Sequence, residues 1–309
     1  MPNTLTNLQD IRISQAFLEA FRAALQPLRA FSTDFSAEFL ERGKTVNVPV
    51  VGNALPTSSD FAGSYSQNAD RTVTTIPVVC NRHKVRSFHL TDKEAAESSF
   101  IRLERLAGSE AKQLAQDVLQ DIFSVITLAN YGAPAIPEVL ASEFDASKVL
   151  GIRGACAQAK MPTTERSLIL DDSYYTALLG DPKISHSYLT QMSQPSLMEA
   201  RIPRIYGFDI YDTIVLPDNG ENLVGFAAHP AGLAIAMRYL APLRPESYLE
   251  SGPVSDPETG ITFGYRRFYD NDSGKEIVAF ECLYGFVPAL SAGLKRIVAP
   301  AGGGSGSGS

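Results

Sequence analysis

Residues 44–90 place the hardest constraint on any fold this chain can take. "KTVNVPVVG" (44–52) and "TVTTIPVVCNRHKVRSFHL" (72–90) are rich in Val, Thr and Ile and read as extended strands. Between them "NALPTSSDFAGSYSQNADR" carries few branched apolar residues. A loop of about twenty weakly structured residues is unusual in a compact domain and is usually functional. The segment is predicted to form a long two-stranded flap with little core of its own, which needs a neighbour to hold it.

The flanking sequence is helical. Over 11–31, Ile13, Phe17, Phe21, Ala24 and Leu28 recur at steps of three and four, and Pro27 bends or ends the run. After the flap, Thr91 and Glu94 have capping-box spacing. Counted from that cap, with an apolar stripe from Phe100 to Ala129, the run predicts one helix ending at Ala129 of about 38 residues, roughly 57 Å long. Asp145 is placed to cap a helix carrying Ile152 and Cys156. "ERSLIL" reads as a strand, and "DDSYYTALLG" as a helix capped by Asp171 or Asp172 with Gly180 past its end. That alternation implies a mixed α/β unit around a sheet. "RIYGFDIYDTIVLP" reads as a strand, and "LVGFAAHPAGLAIAMRYLAP" as a strand leading into a helix, with Pro230 in its first turn.

Composition narrows the function classes. The chain has 309 residues, enough for one large domain or two ordinary ones, and 44% are apolar. Its 27 basic and 34 acidic residues give a net charge of -7, which argues against a protein devoted to gripping a phosphate backbone. The three cysteines, Cys80, Cys156 and Cys282, are widely spaced and odd in number, so core thiols and a reducing compartment are expected. No stretch is apolar enough for a membrane span, and the first residues lack a secretory pattern. "GGGSGSGS" at the end has the composition of a flexible linker.

Chemistry-bearing motifs are weak. His83 and His89 lie six apart with no ligand-type residue at zinc spacing, His186 falls in a polar stretch, and His229 precedes Pro230 as a local cap or contact. There is no nucleophile elbow and no phosphate-binding loop. "DNDSG" (270–274) invites comparison with a calcium loop. Counted from Asp270, however, glycine is fifth rather than sixth, and the twelfth position, Glu281, lies in a strand-like run. A hairpin turn explains each of these polar residues. The hairpin flanks are irregular enough that a bulge is expected after Gly274 to keep Ile277, Ala279 and Cys282 or Leu283 on one face. Its tip is expected to touch a neighbour. No catalytic, cofactor-binding or metal residue is expected.

Taken in order, these segments resemble the major capsid proteins of tailed bacteriophages, whose fold encapsulins share. The resemblance covers most of 10–298. It rests on the helix before the flap, the flap itself, the long helix from Thr91, "FDASKVLGIRGACAQAKMPTTERSLILDDSYYTALLGD", "IYGFDIYDTIVLP" and "LVGFAAHPAGLAIAMRYLAP". It implies an α+β fold of phage major capsid type. The parts would be an N-terminal arm and helix (1–43), an extended loop (44–90), a peripheral domain with a spine helix (91–144), an axial domain (145–260), a hairpin returning to the peripheral domain (261–300) and a flexible tail (301–309).

The function it implies is a virion subunit, assembled in the host cytoplasm, whose pentamers and hexamers enclose double-stranded DNA without sequence specificity. Inter-subunit contacts would involve Phe61, Tyr65, Asp70 and Arg71 in the loop and Asn271 and Asp272 at the hairpin tip. The implied partners are copies of the chain, a portal protein, a separate scaffolding protein and a cement protein. The scaffolding protein is expected to be separate because the first helix begins near residue 11. With Lys44, at the base of the flap, the only lysine between residues 44 and 82, crosslinking is not expected. Competing expectations are an encapsulin-type compartment, a mixed α/β enzyme with 44–82 as a lid, and a soluble binding module.

Overall fold

The structure is a computed structural model that describes residues 8–39, 45–50, 74–93, 100–185, 202, 204–256 and 259–300. Helix α1 spans Leu8–Ala24 and buries Ile13, Phe17 and Phe21. A 3-10 turn, Gln26–Ala30, follows at Pro27, whose missing N–H cannot continue the α ladder. Strand β1 is Ser32–Phe39. The flap begins as a ribbon of β2 (Thr45–Val50) and β3 (Thr74–Val79), paired antiparallel from Thr45↔Val79 to Val50↔Thr74. Strand β4 is Arg82–Thr91.

The long helix is shorter than the apolar stripe suggests. Thr91 closes β4, opposite Lys275, and α2 is described from Phe100 to Phe123. Glu94 lies outside the described residues. The helix stops at Phe123 rather than near Ala129: the Ser124 hydroxyl donates to Asp121 O at 2.6 Å, and the chain turns through the β-branched run Val125, Ile126, Thr127. A single helical turn, α3 (Leu128–Tyr131), follows.

Helix α4 (Ala146–Gln158) is capped by Asp145, which accepts from Lys148 N, and α5 (Asp172–Leu179) by Asp171, which accepts from Ser173 N. Gly180 ends α5 at φ -74, without the left-handed turn the sequence suggests. Strands β5 (Arg166–Asp171), β6 (Phe208–Thr213) and β7 (Leu223–Ala228) complete this region.

"LAIAMRY" is strand β8 (Leu233–Tyr239), not a helix. It runs parallel to β1 and antiparallel to the C-terminal part of β11. Being covered on both faces it is apolar from Leu233 to Met237, so it shows neither the helical nor the strand period. Pro230 sits in a 3-10 turn, Pro230–Gly232, between β7 and β8. Strands β9 (Glu250–Ser255), β10 (Thr262–Asp270), β11 (Lys275–Pro288) and β12 (Leu294–Val298) follow.

Two main sheets result. One is six-stranded, in the order β1-β8-β11-β10-β9 with β4 also on β11; the other is β12-β7-β5-β6. The chain therefore passes from the smaller sheet to the larger at 229–232 and returns with β12. A boundary at 260 would cut between β9 and β10, which pair from Ser255↔Thr262 to Glu250↔Arg267. The crossing points meet: His229 N donates to Gly293 O, and the Tyr131 hydroxyl to Gly232 O.

Helices α1 and α2 cover one face of the larger sheet. Phe17 stacks on Phe280 with ring centroids 3.8 Å apart and meets Phe263 at a tilt, 4.6 Å away. Along β11, Val278, Phe280, Cys282 and Tyr284 enter this core, while Leu283 and Val287 point to the opposite face. The β10–β11 register is continuous from Gly264↔Glu281 to Asp270↔Lys275, so the expected bulge is absent there. None is needed, because both faces of β11 are covered. Helices α4 and α5 build a second core against Leu168, Leu170 and Ala227 of the smaller sheet.

His229 caps the joint, its Nδ1 accepting from Ala231 N at 3.1 Å. Burial lowers its pKa, and the cap requires the neutral ring. Its contribution is therefore complete above the unfolded histidine value of about 6.5 and declines as pH falls below it. His229→Ala should cost about 1 kcal/mol at pH 8. In urea titrations the gap to wild type should narrow between pH 6.5 and 5; a constant gap would contradict the capping role.

Candidate assembly surfaces

The ribbon is rooted in the subunit. Val46, Val48, Val78 and Cys80 pack against Ala231, Ala234 and Ala236, with Leu283 and Val287 beside them. The alanines of β8 keep the outer sheet face low, so the ribbon approaches closely. Gly285 makes the tightest contact: a Cβ there would lie 2.2 Å from the Val79 carbonyl oxygen. The foot of the flap thus belongs to the core of its own chain, unlike the expectation of a flap with little core. Phe61, Tyr65, Asp70 and Arg71 lie outside the described residues.

The hairpin tip is built as a turn. Asp270 accepts Asp272 N at 3.1 Å and the Ser273 hydroxyl at 2.5 Å, and these bonds, Ser273's first, lower its pKa. Gly274 takes φ 61, a conformation that favours glycine. The Tyr269 hydroxyl donates to Asp92 Oδ2 at 2.9 Å and ties the tip to the end of β4. Asn271 and Asp272 are exposed.

Glu281 is a buried acid on the outer sheet face. Two Arg266 nitrogens reach its Oε1 at 2.8 and 2.6 Å, and His83 Nε2 lies 3.1 Å from its Oε2. Arg266 also donates to the Tyr248 hydroxyl and to Leu240 O, which fastens the segment after β8 over this face. On the helix side, Arg82 and the Tyr284 hydroxyl bond Asp121, and Arg86 bonds Asp117 at 2.8 Å. Asp10, fully buried in the first turn of α1, accepts the Tyr265 hydroxyl at 2.6 Å, with Arg267 Nε at 3.2 Å. Burial raises the Asp10 pKa, against the smaller opposing pull of Tyr265 and Arg267.

Asp10, Asp117 and Asp121 join helices to strands, while Glu281 joins three strands; none of them belongs to a recognisable motif. Their one visible signal was charge inside strand-like runs, as in "RRF" and "FECLYGF". His83 contacts Glu281 and His229 is a cap, while His89 is exposed on β4. The three cysteines are free and buried, and burial pushes the Cys282 thiol up to about 12. Among the described residues, no group of three His, Cys, Asp or Glu could hold a metal ion. No described helix is long and apolar enough to cross a membrane. Among the described residues, the three most exposed large apolar side chains lie in loops: Leu243 is 94% exposed, Ile214 70% and Leu249 57%.

Neither a protein-family profile nor a curated relative matches the sequence. Solved structures do. The mature capsid of bacteriophage PhiM1 matches at 12% identity over 87% of this chain and 86% of that one, with a TM-score of 0.51. A virus-like particle from Pyrococcus furiosus matches at 13% identity, 93% and 98% coverage and a TM-score of 0.53. The capsid of an empty GTA particle matches at 13% identity, 91% of both chains and a TM-score of 0.53. At such identities the likeness is one of fold: this mixed α+β chain shares the fold of these capsid and virus-like-particle proteins.

Gly285→Ala should displace the ribbon foot and destabilise the subunit by about 2 kcal/mol or more. A urea midpoint unchanged from wild type would show that Val79 is not seated against β11.

Proposed function

We propose that this chain is the major capsid protein of a tailed bacteriophage. Its copies would gather as pentamers and hexamers into an icosahedral shell around double-stranded DNA. The observation that carries this reading is a capsid fold over nearly the whole chain, combined with a ribbon, on either side of 51–73, that is rooted in the core. In these terms α2 is the spine helix. The six-stranded sheet with α1 and α2 is the peripheral domain, and the smaller sheet with α4 and α5 is the axial domain. The role is structural, without catalysis or cofactor. Assembly rests on repeated, complementary surfaces between copies.

Phe61, Tyr65, Asp70 and Arg71 of the loop and Asn271 and Asp272 of the tip are the proposed contacts. The partners are other copies, a separate scaffolding protein, a portal, a cement protein and the packaged DNA. Assembly takes place in the host cytoplasm and the product is the virion.

The likeness to the Pyrococcus furiosus particle supports a second reading, an encapsulin-type compartment. Shell contents separate the two: packaged genomic DNA favours the phage, and a protein cargo the compartment. Electron micrographs of the protein expressed with its scaffold partner should show closed shells or capsomers. Reversing both charges, Asp70→Arg with Arg71→Asp, should reduce shell yield severalfold and leave the urea midpoint unchanged. Wild-type samples that stay monomeric would sink both shell readings.

A further inference from the structure

The helical layer differs in charge from the rest of a chain whose net charge is -7. Two acids of α2, Asp117 and Asp121, turn toward β4, where Arg86 and Arg82 bind them. Asp10 is buried under α1. What remains on the outward side of this layer, among the described residues, is Arg12, Arg29, Arg105 and Lys112, all exposed, and the half-exposed Arg22. They are opposed there by Glu19, Glu110 and Asp212, the last of which shares a cleft with Lys112. The positions between them are neutral hydrogen-bonding residues, including Gln15, Gln26, Ser109 and Gln113.

At the end of α1 this face opens into a cleft of about 480 Å³. Arg22, Gln26, Arg29, Thr33 and Thr259 bring guanidinium, amide and hydroxyl groups to its rim. Arg22 shares its charge with Asp256, 3.4 Å away, and Asp256 is itself buried.

We propose that this helical face is the chain's nucleic-acid-contacting surface, with the cleft between Arg22 and Arg29 seating a backbone phosphate. Guanidinium and ammonium groups spaced along helices that lie side-on can reach phosphates, and such contacts carry no sequence information. A modest local excess of positive charge within an acidic chain holds a polyanion weakly and lets it slide, which suits DNA that is packed rather than read. The assignment rests on the shell reading for its biological setting, but the surface can be tested without it.

The test uses the full chain, purified before assembly, and a fluorescent duplex of about 20 base pairs of random sequence, read by anisotropy across a salt series. Wild type should bind in the micromolar range at low salt, with affinity falling linearly on a log–log plot. The triple variant Arg29→Gln, Arg105→Gln, Lys112→Gln should bind at least about tenfold more weakly, with a salt slope smaller by about two to three. A control that removes the same charge from α4 and the turn after it, Lys148→Gln, Arg153→Gln, Lys160→Gln, should match wild type. Equal loss in the two triple variants, or no salt-dependent binding by wild type, overturns the proposal. Micrographs of the same preparations score shell formation separately, so failure of the shell reading is distinguishable from failure of this surface.

Discussion

The structure depends on one strand being buried on both faces. Through β11, Phe280 and Tyr284 hold the helical layer, and Leu283, Val287 and the bare backbone of Gly285 hold the flap ribbon. The same strand pairs with β4, β8 and β10. Two sets of elements far apart in sequence are thereby fixed against one another. The polar contribution comes from acids with specific partners, chiefly Glu281 between Arg266 and His83. Such a pair costs desolvation and returns geometry; breaking it by removing one partner is far more damaging than its net worth suggests.

Helices with a dry face and a wet face were legible in the sequence. Helix α1 shows its buried stripe of Ile13, Phe17 and Phe21, and Asp145 and Asp171 mark the starts of α4 and α5 by side-chain chemistry alone. The hairpin turn at Asp270–Gly274 was also legible, because Asp270 and Gly274 each meet a local backbone need. Elements covered on both sides were not. Strand β8 shows no period to read, and its length and small residues imitate a helix. The demand for a bulge in β11 came from the same source, the assumption that only one face is dry. The long helix was overextended because an apolar stripe continues through Val125 and Ile126 after the hydrogen-bond ladder has ended.

The candidate site was legible only in outline. Asn271 and Asp272 are exposed at a braced tip, as a contact between copies requires. The strands on either side of 51–73 form the expected ribbon, yet its packing on β8 and β11 depends on Ala234, Ala236 and Gly285, residues with no motif value. Local sequence reading cannot see a fit made by what is missing from a side chain. The outward charge of the helical layer was hidden for a related reason. It appears only once Asp117 and Asp121 are known to be taken up by β4.

The proposed shell role needs a projecting element that neighbours can engage without the subunit losing its own fold. The rooted ribbon fits that need: its foot is part of the core of its own chain. Native-state hydrogen exchange on dispersed subunits and on assembled shells tests this most directly. The account predicts that amides of β2 and β3 are protected in dispersed subunits to the same order as those of β11, and change little on assembly. Protection of β2 and β3 that arises only in assembled shells would contradict it, placing the ribbon's support in the neighbour rather than in its own sheet.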